Sequence, residues 1–279
     1  MKEYYFLFAV ALIWTLAASI QDIKKREVAN WLNFSLVAFA LAYRAFYSVI
    51  TNNYKFFLFG ALGFILFLIL ANMLYYAKAF AGGDAKLLIA YGAILPFSGY
   101  LNIIFLSITF LLLLFSVGAV YSLIYSIFIV AKNKSVFKKH FKTNWKKYKL
   151  PFAIPIIISL VLALASIHIY FSLAFLLISL GFLLYAYTLA LDKCMIVLLP
   201  PSKLTEGDWL IQDIKLSKKI TIKKTVHGLS AKDIFLLKKY NKTIKIKQGI
   251  PFIPAFLIAL IIMEFAFLTS QSLLFSLSS

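Results

Sequence analysis

The stretch Phe56–Asp84, FFLFGALGFILFLILANMLYYAKAFAGGD, decides the fold. Its first 22 residues, 56–77, carry no charge. At 1.5 Å rise per residue, a helix of that length crosses the ~30 Å hydrocarbon core of a bilayer. The run stops at Lys78, and six residues later comes an aspartate preceded by two glycines. An apolar span therefore delivers the chain to a carboxylate at its boundary.

The rest of the chain repeats the first half of that pattern. Of 279 residues, 63% are hydrophobic and 14% charged, with mean hydropathy +0.91. A soluble domain carries nearer a quarter charged residues, because it has to cover its surface. Apolar runs fall roughly at 4–20, 32–50, 56–77, 85–97, 101–131, 152–168, 171–191 and 252–276. The fourth is short, and the fifth is long enough to tilt or protrude. The expected fold class is all-α, a polytopic membrane helix bundle of about eight spans and at least six. The first run could pass for a signal peptide, but its end, Ser19-Ile20-Gln21-Asp22, lacks a small-x-small cleavage site, so it counts as the first span.

Charge sets the expected orientation. The segments 21–31, 78–86, 132–150 and 192–250 hold 26 of the 29 Lys and Arg residues, and alternating crossings place all four on one side. The positive-inside rule makes that side cytoplasmic and puts both termini outside. On the other side lie Lys2, Lys55 and Arg44, the last expected to snorkel from the outer end of the second span. The net charge of +19 then belongs to topology and to anionic lipid headgroups, at about 1 kcal/mol per basic residue near the surface. No aromatic-basic module or zinc-finger spacing points to nucleic acid.

The polar segment 133–150 reads as a basic loop, and 192–250 as a small cytoplasmic α+β insert. Within the insert, Trp209-Leu210-Ile211 and Ile220-Thr221-Ile222 are strand-like. Ser230-Ala231-Lys232-Asp233 opens a short helix through Tyr240 in the manner of a capping box, and Lys242 to Lys247 alternates in strand fashion. The organisation expected is a membrane core over 1–131 bearing both acidic motifs, a basic loop with two spans over 132–191, the insert, and a last span over 251–279.

Ten acidic residues exist, and most fall in polar loops. Asp22, Asp84 and Glu264 lie at or inside the membrane boundaries, where a carboxylate marks a functional site by default. Two spans separate Asp22 from Asp84, out and back, so both carboxylates return to one side. Two carboxylates meeting in a low-dielectric site share a proton, and such a pair activates water without metal or cofactor. Gly82 and Gly83 before Asp84 would let an extended peptide approach closely. The same residues also read as an interhelical turn with Asp84 as N-cap. Glu264 reads as a packing residue or a third functional acid. His140, His168 and His227 share no ligand spacing, and the lone Cys194 can form neither a disulfide nor a CxxC zinc site, so no metal is expected.

The segment Gly82-Gly83-Asp84-Ala85-Lys86-Leu87-Leu88, together with Asp22-Ile23-Lys24-Lys25-Arg26-Glu27-Val28-Ala29-Asn30 after the first span, resembles the type IV prepilin peptidase family. The likeness is greatest to its archaeal preflagellin and prepilin branch, among the GxGD-type intramembrane aspartyl peptidases. It covers about residues 1–130, and Gly249-Ile250-Pro251-Phe252-Ile253-Pro254 also looks like the archaeal members. The resemblance implies that Asp22 and Asp84 are a catalytic pair. It further implies removal of short basic leaders from pilin-like or archaellin precursors at the cytoplasmic face, without a cofactor. Gly82, Gly83, Lys86, Asn30, Pro251 and Pro254 would shape the site, and Glu206, Asp208 and Asp213 of the insert are candidate leader contacts. Ala81 stands where the strict motif has its first glycine, and Ala29 where proline is common. Bacterial relatives often carry a cysteine pair and methylate the new terminus; with Cys194 alone, cleavage without methylation is expected. Two rival readings are a secondary transporter or channel using the carboxylates as a proton relay, and a non-catalytic pilus-assembly scaffold.

Overall fold

The computed structural model describes residues 3–164, 169–217, 220–225 and 228–278. Seven helices come first: α1 Glu3–Lys25, α2 Asn30–Ile50, α3 Tyr54–Tyr76, α4 Gly82–Ile94, α5 Tyr100–Lys132, α6 Lys134–Leu164 and α7 Ile169–Cys194. The insert follows as β1 Ile196–Leu199, β2 Trp209–Leu210, β3 Ile214–Lys215, β4 Thr221–Ile222, α8 Ala231–Lys239 and β5 Ile244–Lys247, and α9 Ile253–Ser278 ends the chain. Among the described residues, α1, α2, α3, α5, α6 and α7 are long and apolar enough to cross a membrane. The protein is an all-α, multi-pass membrane protein with a small mixed insert. The chain forms two compact units, Met1–Leu123 with Ile250–Ser279, and Ile124–Gly249.

The first unit is built around α4. This helix has 13 residues, about 20 Å of length, which is too short for the span expected at 85–97. Helices α1, α2 and α3 pack against it, and Leu87, Leu88, Ala90, Tyr91, Ala93 and Ile94 are almost wholly enclosed. Gly63 of α3 and Gly92 of α4 meet backbone to backbone, and a methyl group on either would overlap the other's carbonyl oxygen. Small residues permit such approach between membrane helices, where close van der Waals packing replaces the hydrophobic driving force. Pro96 stops α4, and the following turn, Leu95 to Phe97, is itself buried.

A short helix ending inside a bundle leaves its last carbonyls without partners. Arg44 of α2 supplies them. Its Nε donates to Ala93 O at 2.6 Å, Nη2 to Leu95 O at 2.7 Å, and Nη1 to Phe56 O at 2.8 Å. The guanidinium lies over the Phe56 ring, 4.7 Å from its centroid, and Tyr4 donates its hydroxyl to Phe97 O at 2.9 Å. Arg44 is completely buried, so the snorkelling expected from its position does not occur. The cation turns inward because the negative end of α4 and the buried carbonyls gathered there outbid the interface.

In the second unit the basic segment 133–150 is helical, not a loop, and forms the first half of α6. Its lysines are exposed, while Phe137, Phe141 and Trp145 stack along one side, with Phe137 edge-on to Tyr187 of α7. That i, i+4 aromatic ridge gives a lysine-rich sequence a face to bury. In the insert, β5 is central in an antiparallel sheet of order β1-β5-β2, with Ile244 opposite Leu199 and Ile246 opposite Leu210. Ile244 and Ile246 face a core with Leu210, Ile222, Ile234 and Leu237. Ser230 caps α8 as its sequence indicates, with Ser230 N donating to Asp233 at 3.0 Å. The strand β1 was not expected: Ile-Val-Leu-Leu has no alternation and reads as the tail of α7.

Replacing Arg44 by Leu removes the buried donor to Ala93 O and Ile94 O at the end of α4, at about 1–3 kcal/mol per orphaned carbonyl. Thermal unfolding in detergent is expected to fall sharply for Arg44→Leu and less for Arg44→Lys, which retains donors. An unchanged midpoint for Arg44→Leu would show that Arg44 does not hold the end of α4.

Candidate functional site

Asp22 and Asp84 both lie in the first unit, each 8% exposed. Asp22 occupies the last turn of α1, and Asp84 the first turn of α4, which packs on α1. The charge of one is within electrostatic reach of the other. The bundle thus brings together the two acids that topology alone put on one side.

Each carboxylate is held by backbone N–H groups at a helix start. The α4 N-cap is Ala81, which has no side-chain acceptor, so Asp84 reaches back from the third helical position to the Ala81 N–H at 3.0 Å. It is therefore not the N-cap, although it does part of a cap's work. Asp22 accepts the Ile253 N–H at 3.0 Å and is also faced by the Phe252 N–H. Ile253 is the first residue of α9, so Asp22 caps a helix 231 positions later in the chain. The positive end of a helix dipole favours an anion at both places. Pro254, in the first turn of α9, lacks an N–H where none would have a helical partner, and Pro251 is buried in the approach. This capping contact was not anticipated. Its available signal was an acid at one span boundary and a Pro-x-x-Pro at another, and nothing in either segment says that they touch.

The surrounding loops are tied down. Arg26, with φ of 59°, ends α1 in the left-handed region, and Gln21 accepts the Ala29 N–H at 3.1 Å. Lys86 donates to Asn30 Oδ1 at 2.6 Å, linking the first turns of α4 and α2. Gly82 and Gly83 are helical with negative φ, so the turn between α3 and α4 precedes them, with Lys78 at φ of 63°. A methyl group on Gly82 or Gly83 would meet nothing closer than 3.9 Å and 3.8 Å respectively. The fold itself does not require glycine at either position, since a methyl group there would make ordinary contacts with Tyr75 or Val28.

Other candidates fall elsewhere. Glu264 is half-buried, eleven residues beyond Ile253 and so about 16 Å along α9 from the Asp22 contact. Asp208 accepts the Thr205 N–H at 2.8 Å and Asp213 the Lys224 N–H at 2.6 Å, so both brace turns of the insert, while Glu206 is exposed. Burial raises the Asp208 carboxyl above the ordinary aspartate range against the pull of Thr205. His168 and His227 lie outside the described residues; among those described, no three His, Cys, Asp or Glu side chains gather as a metal site would need.

Comparison with known proteins bears on the same stretch of chain. Residues 9–131 match the type IV leader peptidase family. The matched stretch runs from α1 to the end of α5 and contains Asp22 and Asp84, and it is less than half of the chain. A preflagellin peptidase of Methanocaldococcus jannaschii is 34% identical over 89 residues, and one of Methanococcus voltae 32% identical over 89 residues. Each alignment covers 32% of this chain and 38% of the relative, so the chain spans well under half the length of the curated relatives it matches. No solved structure matches the chain.

The glycines give a test of the local geometry. Gly82→Ala and Gly83→Ala are expected to leave the thermal midpoint unchanged or raised, since alanine is favoured over glycine in a helix by about 0.5–1 kcal/mol. Gly92→Ala is expected to lower it markedly through overlap with Gly63. Equal losses in all three would contradict the contacts described at Gly82 and Gly83.

Proposed function

We propose that the protein is a membrane aspartyl endopeptidase that removes the leader peptide of pilin-like or archaellin precursors, with Asp22 and Asp84 as its catalytic carboxylates. The observation that carries this is the placement of two buried acids on the packed helices α1 and α4, within electrostatic reach of each other and within the segment that matches the leader peptidase family. In the reaction one carboxylate takes a proton from water as it attacks the scissile carbonyl carbon. The other donates a proton to the carbonyl oxygen, and a proton then passes to the leaving nitrogen. The backbone donors at Ala81 and Ile253 hold one oxygen of each carboxylate in place.

Gly82 and Gly83 suit an extended substrate backbone beside Asp84, because without side chains they keep the helix surface next to the acid low. Lys86 and Asn30 tie the Asp84-bearing helix to the start of α2, just beyond the loop that follows Asp22. The lysine-rich segments suit the cytoplasmic side and its anionic headgroups, and the basic residues beside both acids favour that face for the site. A basic leader would be repelled by that charge, so recognition rests on the peptide next to the scissile bond.

The test is cleavage of an archaellin or pilin precursor by purified protein in detergent with EDTA present. Wild type should cleave, while Asp22→Asn and Asp84→Asn should fold normally and lose at least ~1,000-fold in rate, because one carboxylate cannot serve as both base and acid. Residual activity above a few per cent in either variant would remove that residue from the pair.

Sidedness has its own measurement. In a Cys194→Ser background, cysteines placed at Lys25, Lys139 and Lys224, all exposed, should react with a membrane-impermeant thiol reagent only after lysis. A cysteine at Asn53 should react in intact cells. Labelling of the Lys25 position from outside would invert the orientation and place the acids on the wrong face for leader removal.

A further inference from the structure

Asp22, Ser19 and Thr15 fall within about 60° of one another around α1, and Asp84 and Tyr91 share a stripe of α4. The two helices run antiparallel, and the acids stand seven residues from Thr15 on one helix and from Tyr91 on the other. The two stripes are therefore in step. The carboxylates lie within electrostatic reach at one end, and at the other the hydroxyls of Thr15 and Tyr91 are hydrogen-bonded at 2.8 Å. Thr15 and Tyr91 are completely buried, and Tyr91 packs edge-on to Phe110.

Ser19 lies between these two ends. It is 4% exposed, and its hydroxyl has no partner among the described residues. A helical serine ordinarily bonds the carbonyl four residues back, as Ser107 does with Ile103 O at 2.6 Å. Ser19 does not. One hydroxyl proton of the Thr15–Tyr91 pair is spent in their mutual bond, which leaves the other to donate elsewhere. Ser19 is about 4.5 Å along the axis from Asp22 and about 6 Å from Thr15, spacings that one bridging water spans. Asp22 accepts the Ile253 N–H with one carboxylate oxygen, Oδ2, and each carboxylate oxygen has more than one lone pair to offer. On α2, Asn33 is a second buried side chain with both polar atoms unpartnered, one turn inward of Asn30.

We propose that Ser19, with Asp22 on one side and the Thr15–Tyr91 pair on the other, binds internal water between α1 and α4 and supplies it to the carboxylates. The ligand is water because the partners combine donors and acceptors, as a bound water requires with its two to four hydrogen bonds. The supply role rests on the peptidase reading; the water site does not.

Hydroxyl-radical labelling with mass spectrometry separates the two. Radicals form from water, so a fully buried ring is oxidised only where water reaches it. In wild-type protein in detergent Tyr91 should be oxidised, and in Ser19→Val the yield should fall several-fold, while Ser19→Thr, which keeps the hydroxyl, retains it. An unlabelled Tyr91 in wild type overturns the site whatever the variants do, and so does equal labelling in a folded Ser19→Val. In the cleavage assay Ser19→Val should lose about tenfold in kcat with KM unchanged and Ser19→Thr should recover it. Loss of labelling with kcat untouched would overturn the supply role alone, and a wild type that labels but cleaves nothing would sink the peptidase reading and leave the site standing.

Discussion

A thirteen-residue helix enclosed in a membrane bundle presents bare polar groups at both ends, and the arrangement of the first unit follows from satisfying them. At the C-terminal end of α4 the solution is Arg44, whose guanidinium reaches Ala93, Leu95 and Phe56 together. At the N-terminal end Asp84 turns back to Ala81. Lipid offers no hydrogen bonds, so irregular backbone at that depth survives only where protein supplies them. An arginine buried among carbonyls and a carboxylate buried among N–H groups are two halves of one requirement, because α4 has a positive start and a negative end.

That requirement also explains the reach of α9. Asp22 is at the end of α1, where no free N–H groups of its own helix are available. The start of α9 has such groups and no acid of its own in the first turn. Joining the two satisfies both and draws the last described helix into the unit formed by α1 to α4 and the greater part of α5. Pro254 fits the arrangement because it needs no partner in the first turn. The acids are therefore positioned in part by main-chain donors, a rigid support built from the starts of two helices.

Much of this was legible in the chain. The apolar run of α3 needs no tertiary information to be read as a span, and Ser230 with Asp233 announces α8 by local chemistry. The two acids could be singled out because a carboxylate at a membrane boundary is costly wherever it occurs. The misreadings share a cause. Arg44 beside an outer boundary is expected to snorkel, and a segment with eight basic residues, 132–150, is expected to be a solvated loop, since composition reports only what a residue prefers when left to water. Neither expectation includes the bare carbonyls of α4 or the face of α7, which are presented by residues far away in the chain.

By itself, then, the sequence determined that the chain is a helical membrane protein, which of its acids stand at the boundaries, and that an even number of crossings returns them to one side. Those are properties of local composition and of counting, and they hold for any packing of the helices. Only the tertiary structure decided that α4 is a short helix gripped at its end by Arg44, that Asp22 caps α9, and that Ser19 is enclosed without a partner. Each of these depends on which backbone group another segment leaves unpaired, and a hydrogen bond of about 3 Å tolerates no ambiguity in where that segment lies.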